Sequence, residues 1–193
     1  MAQMDRREAL AALLKERGDM LIVTGLGSAS YDLHSLGDHD ANYYLWGAMG
    51  GAALVGLGIA QAQPSRKVVV LTGDGEQLMG MGGLATIGVA GPPNLTVVVI
   101  DNGHFGETGL QQSHTDHGVD LTRVALACGF ESARRVTLLS EMDDVRAELA
   151  EDATGPRMLL LQVKAENLPR SLPIRDAVHV KNRFRMHLGL PVT

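Results

Sequence analysis

The chain has 193 residues, 45% hydrophobic and 20% charged, with 23 Gly, 7 Pro and a net charge of −5. That composition is globular and excludes a disordered tail, a collagen-like repeat or a coiled coil; an acidic balance with no Lys/Arg-rich run in its body excludes nucleic acid as the main partner. A lone Cys128 makes neither an internal disulfide nor a structural zinc site, and the charged start MAQMDRREALAALLKERGD is no signal peptide, so the expectation is one cytoplasmic domain over residues 1–193, with no membrane span.

The predicted elements alternate. Residues 5–17 read as a helix with Leu10, Leu13 and Leu14 on one face, and residues 20–24 as a short buried strand. GAMGGAALVGLGIAQ, residues 47–61, is small and apolar all round and reads as a helix packed closely on backbone or on a ligand. KVVVLT (67–72) and LTVVVI (95–100) are β-branched runs without alternation, as in parallel strands covered on both faces. Residues 77–90 between them read as one helix. Helices follow over 120–128 and 140–151, then a strand over 157–163 and a last helix over 174–188. The fold class is α/β: a single doubly wound, mostly parallel sheet with helices on both faces. From Lys164 onward six Lys/Arg face two Asp/Glu, so the terminal segment is either a solvated helix or a basic lid or docking surface.

Two short motifs follow the two apolar strands. Gly73-Asp74-Gly75 closes the first and Asp101-Asn102-Gly103 the second, with twenty-five residues between Gly75 and Asp101. That interval is one helix, one turn and one strand, a complete βαβ unit. Neighbouring parallel strands lie about 5 Å apart, so Asp74 and Asn102 converge at the carboxyl edge of the sheet, where α/β folds place ligands. A carboxylate, a carboxamide and a main-chain carbonyl are hard oxygen donors, suited to Mg²⁺ shared with a phosphorylated ligand. Glycines on either side of Asp74 permit a tight turn and close backbone approach. A helix starting just after Glu76 would turn free N–H groups toward an anion.

With Gly47-Ala48-Met49-Gly50 added, the stretch GDGEQLMGMGGLATIGVAGPPNLTVVVIDN resembles the diphosphate-binding signature of the thiamine diphosphate-dependent enzymes, over about residues 21–129. Within that family, WGAMGGAALVGLGIA, DNGHFGETG and the ending KNRF resemble the sulfopyruvate and phosphonopyruvate decarboxylase branch. The resemblance implies thiamine diphosphate and Mg²⁺ as cofactors. It makes Asp74, the side-chain oxygen of Asn102 and the carbonyl of His104 the metal ligands. It gives Gly73, Gly75 and Glu76, together with Phe105 and Gly106 after His104, to the cofactor's diphosphate end. Gly25 and Ser28, in the Gly-Leu-Gly-Ser loop after the first strand, resemble another diphosphate-contacting loop. Gly47 resembles the residue whose carbonyl accepts from the aminopyrimidine. Met49, otherwise ordinary core filler, resembles the bulky side chain wedged between the cofactor rings and so joins the catalytic set. This chain departs from the family pattern at Asp101, where Asn is common, and at Glu76, where a small residue is common. Glu76 either bonds a neighbouring backbone or points to solvent.

The resemblance also implies decarboxylation of a 2-oxo acid, sulfopyruvate or phosphonopyruvate, to the aldehyde and CO₂. The activating Glu of the family comes from a pyrimidine-binding domain, so the expectation is a hetero-oligomer in which an α subunit supplies that Glu. A small anionic 2-oxo acid needs cationic or N–H donors. His114 is the catalytic candidate for it, with His117, Arg170 and the basic terminal segment beside it; each His is otherwise a surface or hydrogen-bonded structural residue. The alternatives are the β subunit of an acetolactate synthase-like enzyme or of a 2-oxo acid oxidoreductase, or a non-catalytic cofactor-binding subunit. The lone Cys128 argues against the iron–sulfur clusters of the oxidoreductases.

Overall fold

The computed structural model describes residues 4–192; residues 1–3 and 193, which the sequence reading takes into the same domain, lie outside the described residues. The elements are helix α1 (Arg6–Leu13), strand β1 (Leu21–Thr24), α2 (Ser28–Ser35), β2 (Asn42–Tyr44), α3 (Ala52–Ala62), β3 (Val68–Gly73), α4 (Asp74–Met79) and α5 (Gly82–Ala90). They continue with β4 (Leu95–Asp101), a small hairpin of β5 (His104–Phe105) and β6 (Gln111–Gln112), α6 (Leu121–Ala127), β7 (Ser132–Val136), α7 (Met142–Ala150), β8 (Arg157–Gln162) and α8 (Ala177–His187). Three helices start on an Asp cap: the carboxylates of Asp5, Asp120 and Asp176 accept the first free N–H groups of α1, α6 and α8.

Six strands form one parallel sheet in the order β2-β1-β3-β4-β8-β7. Strand side chains alternate between its two faces. Val69, Leu71, Val98 and Ile100 join the core under α1, α2 and α7, whereas Val68, Val70, Val97 and Val99 join the core under α3, α5, α6 and α8. The unalternating apolar runs are therefore strands buried on both faces, as expected for a parallel sheet. The chain leaves β1 toward β2 on one side and β3 toward β4 on the other. The crevice between the carboxyl ends of β1 and β3 is thus the topological switch point of the sheet, the place where such folds bind ligands.

Several elements depart from the sequence reading. The helix expected over 47–61 begins at Ala52; residues 47–51 form a turn with Gly47 (φ 74°) and Gly50 (φ 87°) in the left-handed region. Its close packing at Gly56 is on a strand side chain rather than on backbone or a ligand, since a Cβ there would lie 2.2 Å from Val70 Cγ2. The single helix expected over 77–90 is two. It breaks at Gly80, which a Cβ would drive to 2.2 Å from the Gly50 carbonyl, so tertiary contact sets the break. The helix expected after Glu76 starts at Asp74 itself. Strands β2 and β7 and helix α2 were not expected. Both strands are edges: β2 is three residues long, and β7 (SARRV) carries two Arg on a partly exposed strand, which masks an apolar signal. Helix α2 (SASYDLHS) is Ser-rich and enters through Gly27 at φ 79° with no side-chain cap.

Candidate functional site

The switch-point crevice holds a cavity of about 220 Å³. The register that pairs Gly73 with Ile100 sets the ends of β3 and β4 side by side, and Asp74 and Asn102 both line the cavity. The loop after β1 contributes Leu26 and Ser28, the turn before α3 contributes Met49, and the hairpin contributes His104, Phe105 and Gly106. Gly73, Gly75 and Glu76 complete the expected residues along its wall. Gly25 and Gly47 do not line it. Gly47 is exposed on the turn that carries Met49, and Gly25 backs the cavity from the end of β1. His114 is exposed and reaches the cavity only through Phe105, whose ring it meets edge-on at 6.2 Å.

Asp74 is 2% exposed. Its Oδ2 accepts from the Ser113 hydroxyl and, at 3.2 Å, from that of Thr115, which also reaches Asp101 Oδ1 at 2.8 Å. The Gly103 N–H donates to the same Asp101 oxygen at 3.0 Å. Burial pushes the Asp74 carboxyl above the usual carboxylate range, the Ser113 hydrogen bond opposes that, and the nearby Asp101 charge adds to it. Two buried acids thus sit together with hydroxyls and main-chain N–H groups as donors and, among the described residues, no Arg or Lys paired to either. One Thr115 proton cannot serve both carboxylates at once. The arrangement carries an excess of negative charge that a divalent cation would neutralise. Asn102 Oδ1 accepts the His104 N–H at 3.0 Å and keeps a second lone pair, while His104 Nδ1 lies 2.9 Å from the Asn102 carbonyl. Among the described residues no group of three His, Cys, Asp or Glu is placed to hold a metal. A donor set of carboxylate, carboxamide and main-chain carbonyl is of a different kind, and it suits a hard cation such as Mg²⁺.

Glu76 points inward. It is 4% exposed, accepts from Thr72 Oγ1 at 3.0 Å and from the Gly50 N–H at 3.3 Å, and lies against Gly25. Burial raises its pKa, while the Thr72 hydroxyl and the N–H groups of Gly50, Ala52 and Leu26 pull it down. The two glycines of GDG differ in what surrounds them. A Cβ on Gly75 would lie 2.7 Å from the Phe105 ring, so its bare face is filled by protein, whereas nothing lies within 4 Å of a Cβ on Gly73.

Sequence reasoning missed three contributors. Ser113 and Thr115 stand in QQSHTDHG, where the His residues drew attention, yet the hydroxyls are what reach Asp74. Arg6 lines the cavity from the start of α1, outside every motif of the sequence analysis. Three Arg of the basic terminal segment are engaged by the chain's own groups. Arg170 pairs with Glu107 at 2.9 Å and stacks on Tyr31, Arg175 stacks on Trp46, and Arg183 pairs with Asp38 at 2.5 Å.

Residues 26–163 match the family model described as thiamine pyrophosphate enzyme, C-terminal TPP binding domain. Phosphonopyruvate decarboxylase of Streptomyces viridochromogenes is 40% identical over 193 residues, 98% of this chain and 48% of the relative. The chain therefore spans about half the length of that relative. The sulfopyruvate decarboxylase subunit beta of Methanothermobacter thermautotrophicus is 36% identical, with 94% of each chain covered. Benzoylformate decarboxylase from Polynucleobacter necessarius has the same fold, with a TM-score of 0.71 at 20% identity over 86% of this chain and 34% of that one. No helix among the described residues is long and apolar enough to cross a membrane.

Proposed function

This chain belongs to the thiamine pyrophosphate enzymes, and on that premise we propose that it is the diphosphate-binding half of a Mg²⁺-dependent 2-oxo acid decarboxylase acting on sulfopyruvate or phosphonopyruvate. The observation that carries the metal reading is the buried Asp74–Asp101 pair beside Asn102 at the carboxyl edge of the sheet, which among the described residues has no cationic partner. When bound, thiamine diphosphate supplies the electron sink for loss of CO₂. Asp74, Asn102 Oδ1 and the His104 carbonyl would hold Mg²⁺. Main-chain N–H groups of Gly75 and Glu76, with Ser28 from the loop after β1, would hold the diphosphate. Met49, 43% exposed at the cavity rather than in the core, would support the rings beside Gly47. Phe105 and Gly106 close the opposite wall, and His114 behind Phe105 would meet the acid tail of the substrate.

The other half of the site is proposed to come from a pyrimidine-binding domain that brings the activating Glu. Two relatives named subunit beta, of which the chain covers 94% and 96%, support a separate chain. So do the apolar side chains exposed along α4 and α5: Met79 and Val89 are 69% and 91% exposed, and Leu54 of α3 and Met81 are exposed as well. The Gly50–Gly80 contact links those helices to the turn bearing Met49. Large apolar side chains left this exposed favour an interaction site there. A single free Cys128 fits a reducing, cytoplasmic setting.

The deciding experiment mixes the purified chain with a pyrimidine-binding partner, thiamine diphosphate and Mg²⁺, and follows CO₂ release from sulfopyruvate and phosphonopyruvate. Release by the mixture and not by either component is expected. Silence on both substrates would count against the reading.

A further inference from the structure

Among the described residues Arg6 is the one Arg or Lys that lines the cavity, and its surroundings leave its charge unspent. The side chain is 3% exposed. Its Nε lies 2.6 Å from Asp32 Oδ2, and its Nη1 donates to the Glu166 carbonyl at 2.8 Å. Asp32, fully buried, is shared, because its Oδ1 accepts from Arg7 Nε at 2.9 Å. Two guanidiniums against one carboxylate leave a net positive charge at the α1–α2 junction. Arg7 directs its remaining donors outward to the Pro169 carbonyl. Arg6 has five N–H donors, and the contacts above leave several of them for whatever enters the cavity. The start of α2 borders the same place through Ser28 and Ala29, and its Gly27 cap provides no side-chain acceptor for the first N–H groups.

A buried charge is tolerated when it is paired, and Arg6 is only half paired. An incoming oxyanion completes the pairing, and a guanidinium suits phosphoryl oxygens through two parallel N–H bonds. We infer that Arg6 binds a phosphoryl oxygen of the cofactor's diphosphate and reads its charge, with Asp32 and the Glu166 carbonyl as the supports that hold the guanidinium in the cavity wall. The inference rests on the thiamine diphosphate reading above. A sulfonate or phosphonate tail of the substrate carries the same tetrahedral oxyanion chemistry, and the experiment separates the two.

The chain, assembled with a pyrimidine-binding partner, is titrated calorimetrically with thiamine diphosphate and with thiamine, both with Mg²⁺, as wild type, Arg6→Gln, Arg6→Lys and Arg7→Gln. Hydrogen bonds to charged groups predict that Arg6→Gln weakens thiamine diphosphate on the order of 10- to 100-fold and flattens its salt dependence, with thiamine unaffected. Arg6→Lys recovers part of the loss, and Arg7→Gln stays within about 3-fold, because Arg7 shares Asp32 without lining the cavity. Wild-type affinity in an assembly with a folded Arg6→Gln chain overturns the inference and leaves the cofactor reading standing; a wild-type assembly that binds no thiamine diphosphate overturns both. Equal losses for thiamine and its diphosphate show a merely structural role. Unchanged cofactor affinity with a raised KM for sulfopyruvate relative to pyruvate moves Arg6 to the substrate tail and also overturns it. Should Arg6→Gln not fold, the ¹⁵Nε–¹H signal of Arg6 in the wild type, assigned by its loss in Arg6→Lys, must shift on addition of magnesium pyrophosphate. Its failure to move is again a refutation.

Discussion

A Cβ placed on Gly25 would lie 1.5 Å from Glu76 Oε2. The end of β1 is therefore shaped around a carboxylate from α4, and the same carboxylate holds the Gly50 N–H of the turn before α3. Three loops of the cavity are tied at one buried point. Gly25→Ala should displace Glu76 and destabilise the chain by about 1–3 kcal/mol, the usual range for overpacking. Glu76→Ala leaves Thr72 and the turn without their acceptor and should cost a similar amount. The double variant should be more stable than the sum of the two losses, because the clash and the side chain it displaces are one interaction. Denaturant unfolding of the four proteins measures the coupling; strict additivity would contradict this packing.

Asp74→Asn should abolish Mg²⁺-dependent thiamine diphosphate binding while leaving apo stability unchanged or higher. Removing one of two neighbouring buried charges relieves desolvation and repulsion, and the carboxamide still accepts from Ser113. Calorimetry and thermal unfolding without cofactor test the two halves separately. Unchanged cofactor affinity would remove Asp74 from the metal site.

Met49→Ala separates cofactor contact from core packing. Truncation of a buried Met costs about 2–5 kcal/mol, but a side chain 43% exposed should cost under about 1 kcal/mol. Turnover in the assembled enzyme should fall on the order of 10²-fold, since a misplaced reacting group loses about that much. A core-sized stability loss with normal turnover would return Met49 to packing.

Val89→Lys and Met79→Lys should prevent assembly with the pyrimidine-binding partner at little cost to the isolated chain, because both side chains are apolar and exposed. Analytical ultracentrifugation of the mixture reads assembly and thermal unfolding reads the fold. Normal assembly of both variants would place the partner elsewhere.

The Arg183 contact with Asp38 predicts a pH dependence. Burial works to raise the Asp38 pKa, but hydrogen bonds from Arg183, the His39 N–H and the Tyr44 hydroxyl outweigh it and hold the carboxyl below its usual range. With the folded value below the unfolded one, ionised Asp38 contributes stability above pH about 4, and that contribution is lost as pH falls through the folded value. The difference in thermal midpoint between wild type and Asp38→Asn should therefore be present at pH 7 and shrink only as the pH falls below about 4.

The central strands and the GDG and DNG loops were legible in the sequence because their signals are local. β3 and β4 are buried on both faces and read as unbroken apolar runs, and the βαβ interval alone brings Asp74 and Asn102 to one edge. The edge strands β2 and β7 were not legible, since an edge needs little apolar surface and β7 carries Arg134 and Arg135 on it. Nor was the split between α4 and α5, which is set by the Gly50 carbonyl across from Gly80. Glu76 could be placed only by the fold: Thr72, Gly50 and Gly25 come from three separate segments, and only their convergence makes a buried acceptor site. Arg6 is the extreme case. As sequence it is one of several charges on an amphipathic first helix, and it becomes a cavity residue because Asp32, on a helix the sequence did not announce, pulls the guanidinium inward while α1 packs its leucines on the sheet. Apolar pattern and loop motif act along the chain and are readable there. Burial of a charge depends on which distant groups surround it, and that is decided in three dimensions.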